Sequence, residues 1–248
     1  MIHRFALAYT PGQEDRMVSV YVPEGSGRFP VMYMFDGQNA FEDGEAAYGR
    51  SWNLDAFLSG WGKGMILVAM QSSMERDRRL SEYCPYHLVP RLWEGLRGHG
   101  RETLAWIVDE LKPRIDAEFP TLPERACTGV MGASMGALMS LYAVTARNDV
   151  FSKAACVSPA LSSCHAQALR QIRGDCVDPD TRVYLSWGEC EFRDARTLAH
   201  ASAQHLEIAN LLMAQGARVY PYLQEEGRHC EADWSRQTGE FMRFLWLE

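Results

Sequence analysis

Apolar residues fall into short, dense runs separated by polar or helically spaced stretches. Phe5–Tyr9 and Met17–Val22 flank the turn signal Pro11-Gly12, which predicts an opening β-hairpin. After the turn-rich Pro23-Glu-Gly-Ser-Gly27 comes Phe29-Pro-Val-Met-Tyr-Met-Phe35, apolar at nearly every position. Runs of that kind suit strands buried on both faces of a sheet. Gly64–Met70, Arg125–Met131 and Phe151–Val157 read the same way, and Arg182–Trp187 and Arg218–Leu223 read as further strands. Helical spacing covers residues 51–60, 101–118, 165–173, 196–215 and 235–247, and another helix opens near Ser134. Pro113 is expected to kink or shorten the second of these, and Gly216 to cap the fourth.

This alternation of strand and helix predicts a mostly parallel sheet with helices on both faces and the antiparallel N-terminal hairpin at one edge. Residues 1–248 read as one domain, without repeats, low-complexity tracts or a linker. Residues 72–100 are irregular and polar, carrying Pro85, Pro90, Gly95, Gly98 and Gly100. A connection that long is usually functional or mobile.

Composition narrows the picture. The chain is 47% hydrophobic and 23% charged, which excludes a disordered class. Its formal net charge of −7, with scattered Lys and Arg, argues against a nucleic-acid binder. One small basic cluster, Arg76, Arg78 and Arg79, reads as a solvated loop. His3 and Arg4 precede too short an apolar stretch for a signal peptide, and no segment reaches the ~20 apolar residues of a membrane span. A soluble, cytoplasmic protein is the expectation, its oligomeric state unreadable. The seven cysteines form no CxxC pair and read as free thiols, with Cys127 and Cys156 buried.

The chemistry starts at Gly132-Ala-Ser134-Met-Gly136, a G-x-S-x-G match. At average glycine usage the pentapeptide alone would occur in roughly one chain in ten of this length. Here it follows a buried strand and opens the small-residue helix Ala137-Leu-Met-Ser-Leu-Tyr-Ala143. A nucleophilic serine needs such a sharp strand-to-helix turn, and glycines two residues either side keep side chains from colliding with neighbouring backbone. The helix N-terminus then offers free N–H groups to a developing oxyanion. In this α/β-hydrolase arrangement the order is serine, acid, histidine. Of His165, His200, His205 and His229, the last follows the final strand and precedes the final helix, at the sheet edge where catalysis concentrates. His200 and His205 read as exposed helix side chains, and His165 comes too early.

Three carboxylates follow the strand ending at Gly188: Glu189, Glu191 and Asp194, with Glu191 preferred, then Asp194. The first buried strand ends in Phe35-Asp36-Gly37-Gln38-Asn39. Gly37 lets the chain turn toward the serine, and the N–H groups of Gln38 and Met135 are the candidate oxyanion pair.

Together these residues resemble the esterase family that includes enterochelin-esterase-like proteins and esterase D. The segments carrying the likeness are Phe35-Asp-Gly-Gln-Asn, Ser51-Trp-Asn-Leu-Asp55, Arg79-Leu-Ser-Glu-Tyr-Cys-Pro85, Gly132-Ala-Ser-Met-Gly136, Val157-Ser-Pro159, Tyr184-Leu-Ser-Trp-Gly188 and Gly227-Arg-His-Cys-Glu-Ala-Asp-Trp234. The resemblance implies a Ser-acid-His triad without metal or organic cofactor, the acid three residues after a strand-ending glycine (Glu191 here), and an oxyanion loop at Gly37 and Gln38. Ala137 departs from it, where the family commonly has glycine. The function expected is a serine esterase cleaving small-molecule carboxylic esters or thioesters through an acyl-enzyme. An acyltransferase on the same triad and a non-catalytic binding protein of the same fold are the alternatives. Trp52, Tyr83 and Trp93 are placed in the substrate pocket.

Overall fold

A computed structural model describes residues 1–86 and 97–247. One eight-stranded sheet runs through it in the order β1-β2-β4-β3-β5-β6-β7-β8. The strands are β1 (Ile2–Tyr9), β2 (Glu14–Tyr21), β3 (Val31–Phe35), β4 (Ile66–Met70), β5 (Thr128–Ala133), β6 (Lys153–Val157), β7 (Arg182–Gly188) and β8 (Arg218–Gln224). β1 pairs antiparallel with β2, and β2 antiparallel with β4; every pairing from β4 through β3 to β8 is parallel. The α/β class, the parallel core and the antiparallel hairpin at one edge are as the pattern predicted.

The apolar runs explain the layering. Successive side chains of a strand point to opposite faces. In β3, Val31, Tyr33 and Phe35 enter one core while Met32 and Met34 enter the other. β4 divides likewise, with Ile66, Val68 and Met70 against Leu67 and Ala69. A strand with two buried faces has no position to spare for a polar residue. The first core is closed by helices at Gly100–Trp106, Met135–Ala146, His165–Gly174 and Ala195–Ala214, the second by Leu54–Gly60 and Thr238–Trp246. Met135–Ala146 is buried from Met135 to Thr145, hence its lack of a polar face.

Three expectations change. Pro113 neither ends nor shortens its helix. Ahead of it Ile107–Leu111 widens into a π-helical turn, with the Lys112 N–H reaching Ile107, and the helix then runs on to Glu118. A wider turn accommodates the missing N–H and the ring. The C-terminal helix is broken in two, Glu231–Ser235 and Thr238–Trp246. Cys156 is fully buried, but Cys127, just before β5, is only half-buried. Among the described residues no helix is long and apolar enough to cross a membrane.

Part of the 72–100 segment is ordered as helix Arg76–Glu82, which is anchored to the sheet by a buried ion pair. Arg16 of β2, 4% exposed, donates to both carboxylate oxygens of Glu82 at 2.8 and 3.0 Å and lies over the Tyr9 ring. Losing one partner of such a pair leaves a buried charge. Glu82→Ala should therefore cost about 3 kcal/mol, the low end of such losses because Glu14 still meets Arg16. Urea unfolding should show it as a lower midpoint at unchanged slope.

Candidate functional site

Parallel strands deliver their following loops to one edge of the sheet, and the candidate residues gather there. The chain leaves β5 at Ala133 and turns at Ser134 with φ 56° and ψ −116°, a conformation uncommon for a residue with a Cβ. Gly132 is needed because a Cβ there would lie 2.6 Å from the Gly136 carbonyl carbon. Two backbone bonds clamp the turn: Ser134 N–H donates to Val157 at 3.0 Å, and Ala160 N–H donates to the Ser134 carbonyl at 3.1 Å. The hydroxyl is thus held at the surface of the edge while the backbone below it is locked.

His229 reaches it from the loop after β8. Ser134 Oγ lies 3.0 Å from His229 Nε2, and His229 Nδ1 lies 3.0 Å from Glu191 Oε2. An ionised carboxylate only accepts, so Nδ1 carries the proton and Nε2 is free to accept from the serine. Of the three carboxylates only Glu191 meets the imidazole. Glu189 accepts the Glu226 N–H, and Asp194 caps helix Ala195–Ala214 by accepting from Thr197. Cys190 N–H donates to Gly227, tying the turn that carries Glu191 to the loop that carries His229. The other candidate histidines lie elsewhere. His200 is exposed, and half-buried His165 meets Glu207 at 3.4 Å. His205 is not exposed as expected: it is 4% exposed, stacked on Trp187, with burial holding its pKa below the usual value.

After β3 the loop departs from expectation in detail. Asp36, not Gly37, makes the left-handed turn, at φ 56°. Gly37 is required because a Cβ would sit 2.3 Å from the Ala69 carbonyl carbon. The side chain of Gln38 bonds to Ser72 through both amide atoms, fixing the turn Gly37–Asn39. Met135 opens its helix, so its N–H has no acceptor a turn earlier. Arg79 is not a free surface arginine but half-buried. It donates through Nε and Nη2 to Asp36 at 2.6 and 2.7 Å, while its neighbour Arg78 stays exposed and meets Glu14.

A cleft of about 530 Å³ opens onto Ser134 and His229. Trp52 and Gln38 line it, as do Arg79, Tyr48, Glu231 and Trp234. Tyr83 does not; it is buried behind the wall, where its oxygen accepts the Asp36 N–H and its ring lies beneath Arg79. Trp93 lies outside the described residues. Among the described residues no three His, Cys, Asp or Glu side chains come together as a metal site would require.

Among the residues at the site that escaped the sequence reading are Ser158, Trp234 and Glu231. Each sits in a segment noted above, Val157-Ser-Pro159 or Gly227–Trp234, but nothing local marks its side chain for the site.

The model of the family described as "Putative esterase" matches residues 11–237. The chain belongs to this family. By family it is an esterase. A sequence relative from Bacillus subtilis strain 168, described as the uncharacterized protein YbbA, is 26% identical over 192 residues, 74% of this chain and 72% of its own. Among solved structures, the BES protein of Bacillus cereus superposes with a TM-score of 0.78 at 15% identity, covering 98% of this chain and 94% of that one. An IroE-like serine hydrolase from Shewanella oneidensis gives 0.77 at 18% identity, covering 98% and 80%. At such identities the two structures speak for the shared fold.

Glu231 offers a test of the cleft's electrostatics. Glu231 is 5% exposed, and burial, with Asp36 nearby, raises its pKa. A raised carboxylate pKa opposes folding once pH passes the unfolded value, and the cost is complete above the folded one. Glu231→Gln removes that charge while its carbonyl can still accept from Asn39 Nδ2. The variant should melt higher than the parent at pH 7.5, and calorimetry at pH 4 should find the gain largely gone.

Proposed function

We propose that the esterase acts through a Ser134–His229–Glu191 triad and an acyl-enzyme on small-molecule carboxylic esters or thioesters. The observation that carries this is the chain of two 3.0 Å contacts from Glu191 through His229 to a serine on a strained strand-to-helix turn. His229 takes the serine proton as Oγ attacks the acyl carbon. Glu191 keeps the imidazole in the tautomer that can accept and stabilises the imidazolium without taking the proton. The N–H groups of Gln38 and Met135 bind the oxygen as it becomes negative. The alcohol or thiol departs with the proton from His229, and water, activated by the same histidine, then releases the acid. The reading treats residues 1–248 as one α/β-hydrolase domain, since a single sheet carries every loop of the site.

Ser134→Ala should lower kcat on a short p-nitrophenyl ester by about 10⁴- to 10⁶-fold with the melting temperature little changed. The parent should show a burst equal to the enzyme concentration and label with a fluorophosphonate. Undiminished turnover in the variant would remove the nucleophile assignment. Glu191→Gln should fall about 10³- to 10⁴-fold, because the wrong tautomer of His229 becomes accessible. Product analysis with added acceptor alcohols separates hydrolysis from acyl transfer.

A further inference from the structure

Glu191 has two oxygens, and only one faces His229. Oε2 takes the imidazole, while Oε1 accepts from the Gly188 N–H at 3.0 Å and from the Ser158 hydroxyl at 2.5 Å. Ser158 is 2% exposed and immediately follows β6. Its backbone stands at φ 52°, a region that disfavours any residue with a Cβ, and its N–H donates to Ser186 at the end of the neighbouring strand. The same hydroxyl accepts from the indole N–H of Trp234 at 3.0 Å. That bond occupies a lone pair and leaves the hydroxyl proton to point at Glu191. The Trp234 ring in turn stands edge-on to His229, with centroids 4.7 Å apart and planes at 86°. A closed circuit results: Trp234 touches the histidine with its ring and, through Ser158, the carboxylate that orients the histidine.

We infer that Ser158, oriented by Trp234, is a positioning residue that locks the rotation of the Glu191 carboxylate so that Oε2 faces His229 Nδ1. The inference rests on the triad proposed above. A glutamate has one more rotatable bond than an aspartate, and its carboxylate can swing. Two donors on Oε1 remove that freedom before substrate arrives. The strained backbone at Ser158 directs the hydroxyl into the gap between β6 and the turn after β7.

The test compares Ser158→Ala, Ser158→Gly, Trp234→Phe and the double variant Ser158→Ala/Trp234→Phe, with Glu191→Gln as reference, on p-nitrophenyl acetate. Ser158→Gly relieves the backbone at positive φ, so it separates loss of the hydroxyl from loss of fold. Both Ser158 variants should lose about 10- to 100-fold in kcat with KM within about twofold, the scale expected for a bond to a charged group. Trp234→Phe should lose less, and the double variant no more than Ser158→Ala, since both act through one hydroxyl. The downfield proton resonance of His229 Nδ1–H should broaden or vanish in the Ser158 variants, which a purely structural role would not cause in a folded Ser158→Gly protein. If Ser158→Gly keeps parental kcat and the resonance while Glu191→Gln is impaired, the positioning role is overturned and the triad stands. If Glu191→Gln itself keeps parental kcat, the triad reading falls and this inference falls with it.

Discussion

The turn at Ser134 governs the rest of the molecule. A serine at φ 56° and ψ −116° costs of order 1–3 kcal/mol and persists only where its surroundings leave no alternative. Here they leave none. The strand before it is buried on both faces, the helix after it is buried nearly all round, and backbone bonds to Val157 and Ala160 hold the turn from the β6 side. Gly132 is the local concession that lets strand and helix meet so closely, and Gly136 leaves room for Phe35 at the end of β3. With the turn held, the hydroxyl has a fixed place, and every other group of the site is arranged around it.

The parallel sheet supplies those groups. β3, β5, β6, β7 and β8 all end at one edge, so the loops bearing Gln38, Ser134, Ser158, Glu191 and His229 converge without long excursions. Convergence alone would leave the side chains loose. What removes the slack is a second layer of bonds: Arg79 on Asp36, Gln38 on Ser72, Ser158 on Glu191, and Cys190 N–H on Gly227. The cleft they frame is polar on the Asp36–Arg79 side, where the guanidinium is already neutralised, and carries an additional buried carboxylate at Glu231.

Much of the fold was readable because burial on two faces leaves a local signature. β3 and β4 have five consecutive buried residues each, and their runs stood out without reference to any partner. The turn at Ser134 was readable for a similar reason, since Gly132 is demanded by the Gly136 backbone four residues on, whereas the space at Gly136 is set by Phe35 from β3. Side chains whose environment comes from distant elements were not readable. Arg79 looked like one of three surface arginines, His205 like an exposed helix position, and Tyr83 like a pocket wall. Their true settings depend on what packs over them: Asp36 from the end of β3, Trp187 from β7, and Arg79 across the Tyr83 ring. Pro113 is an intermediate case, since the proline was visible but the π-helical turn that absorbs it was not.

By itself the sequence determined the α/β class, the strand-to-helix setting of Ser134, and the place of His229 on the last strand-to-helix loop. These follow from periodicity, glycine placement and chain order, all properties of short segments. The tertiary structure decided which of three carboxylates within six residues meets that histidine. Asp194 is occupied by a backbone donor three residues on, Glu189 by the Glu226 N–H 37 positions away, and Glu191 accepts from Ser158, 33 positions away. The contacts that make the site span 38 and 95 positions along the chain. Strand order sets such distances in space, and no spacing along the chain encodes which lone pair a distant hydroxyl will fill.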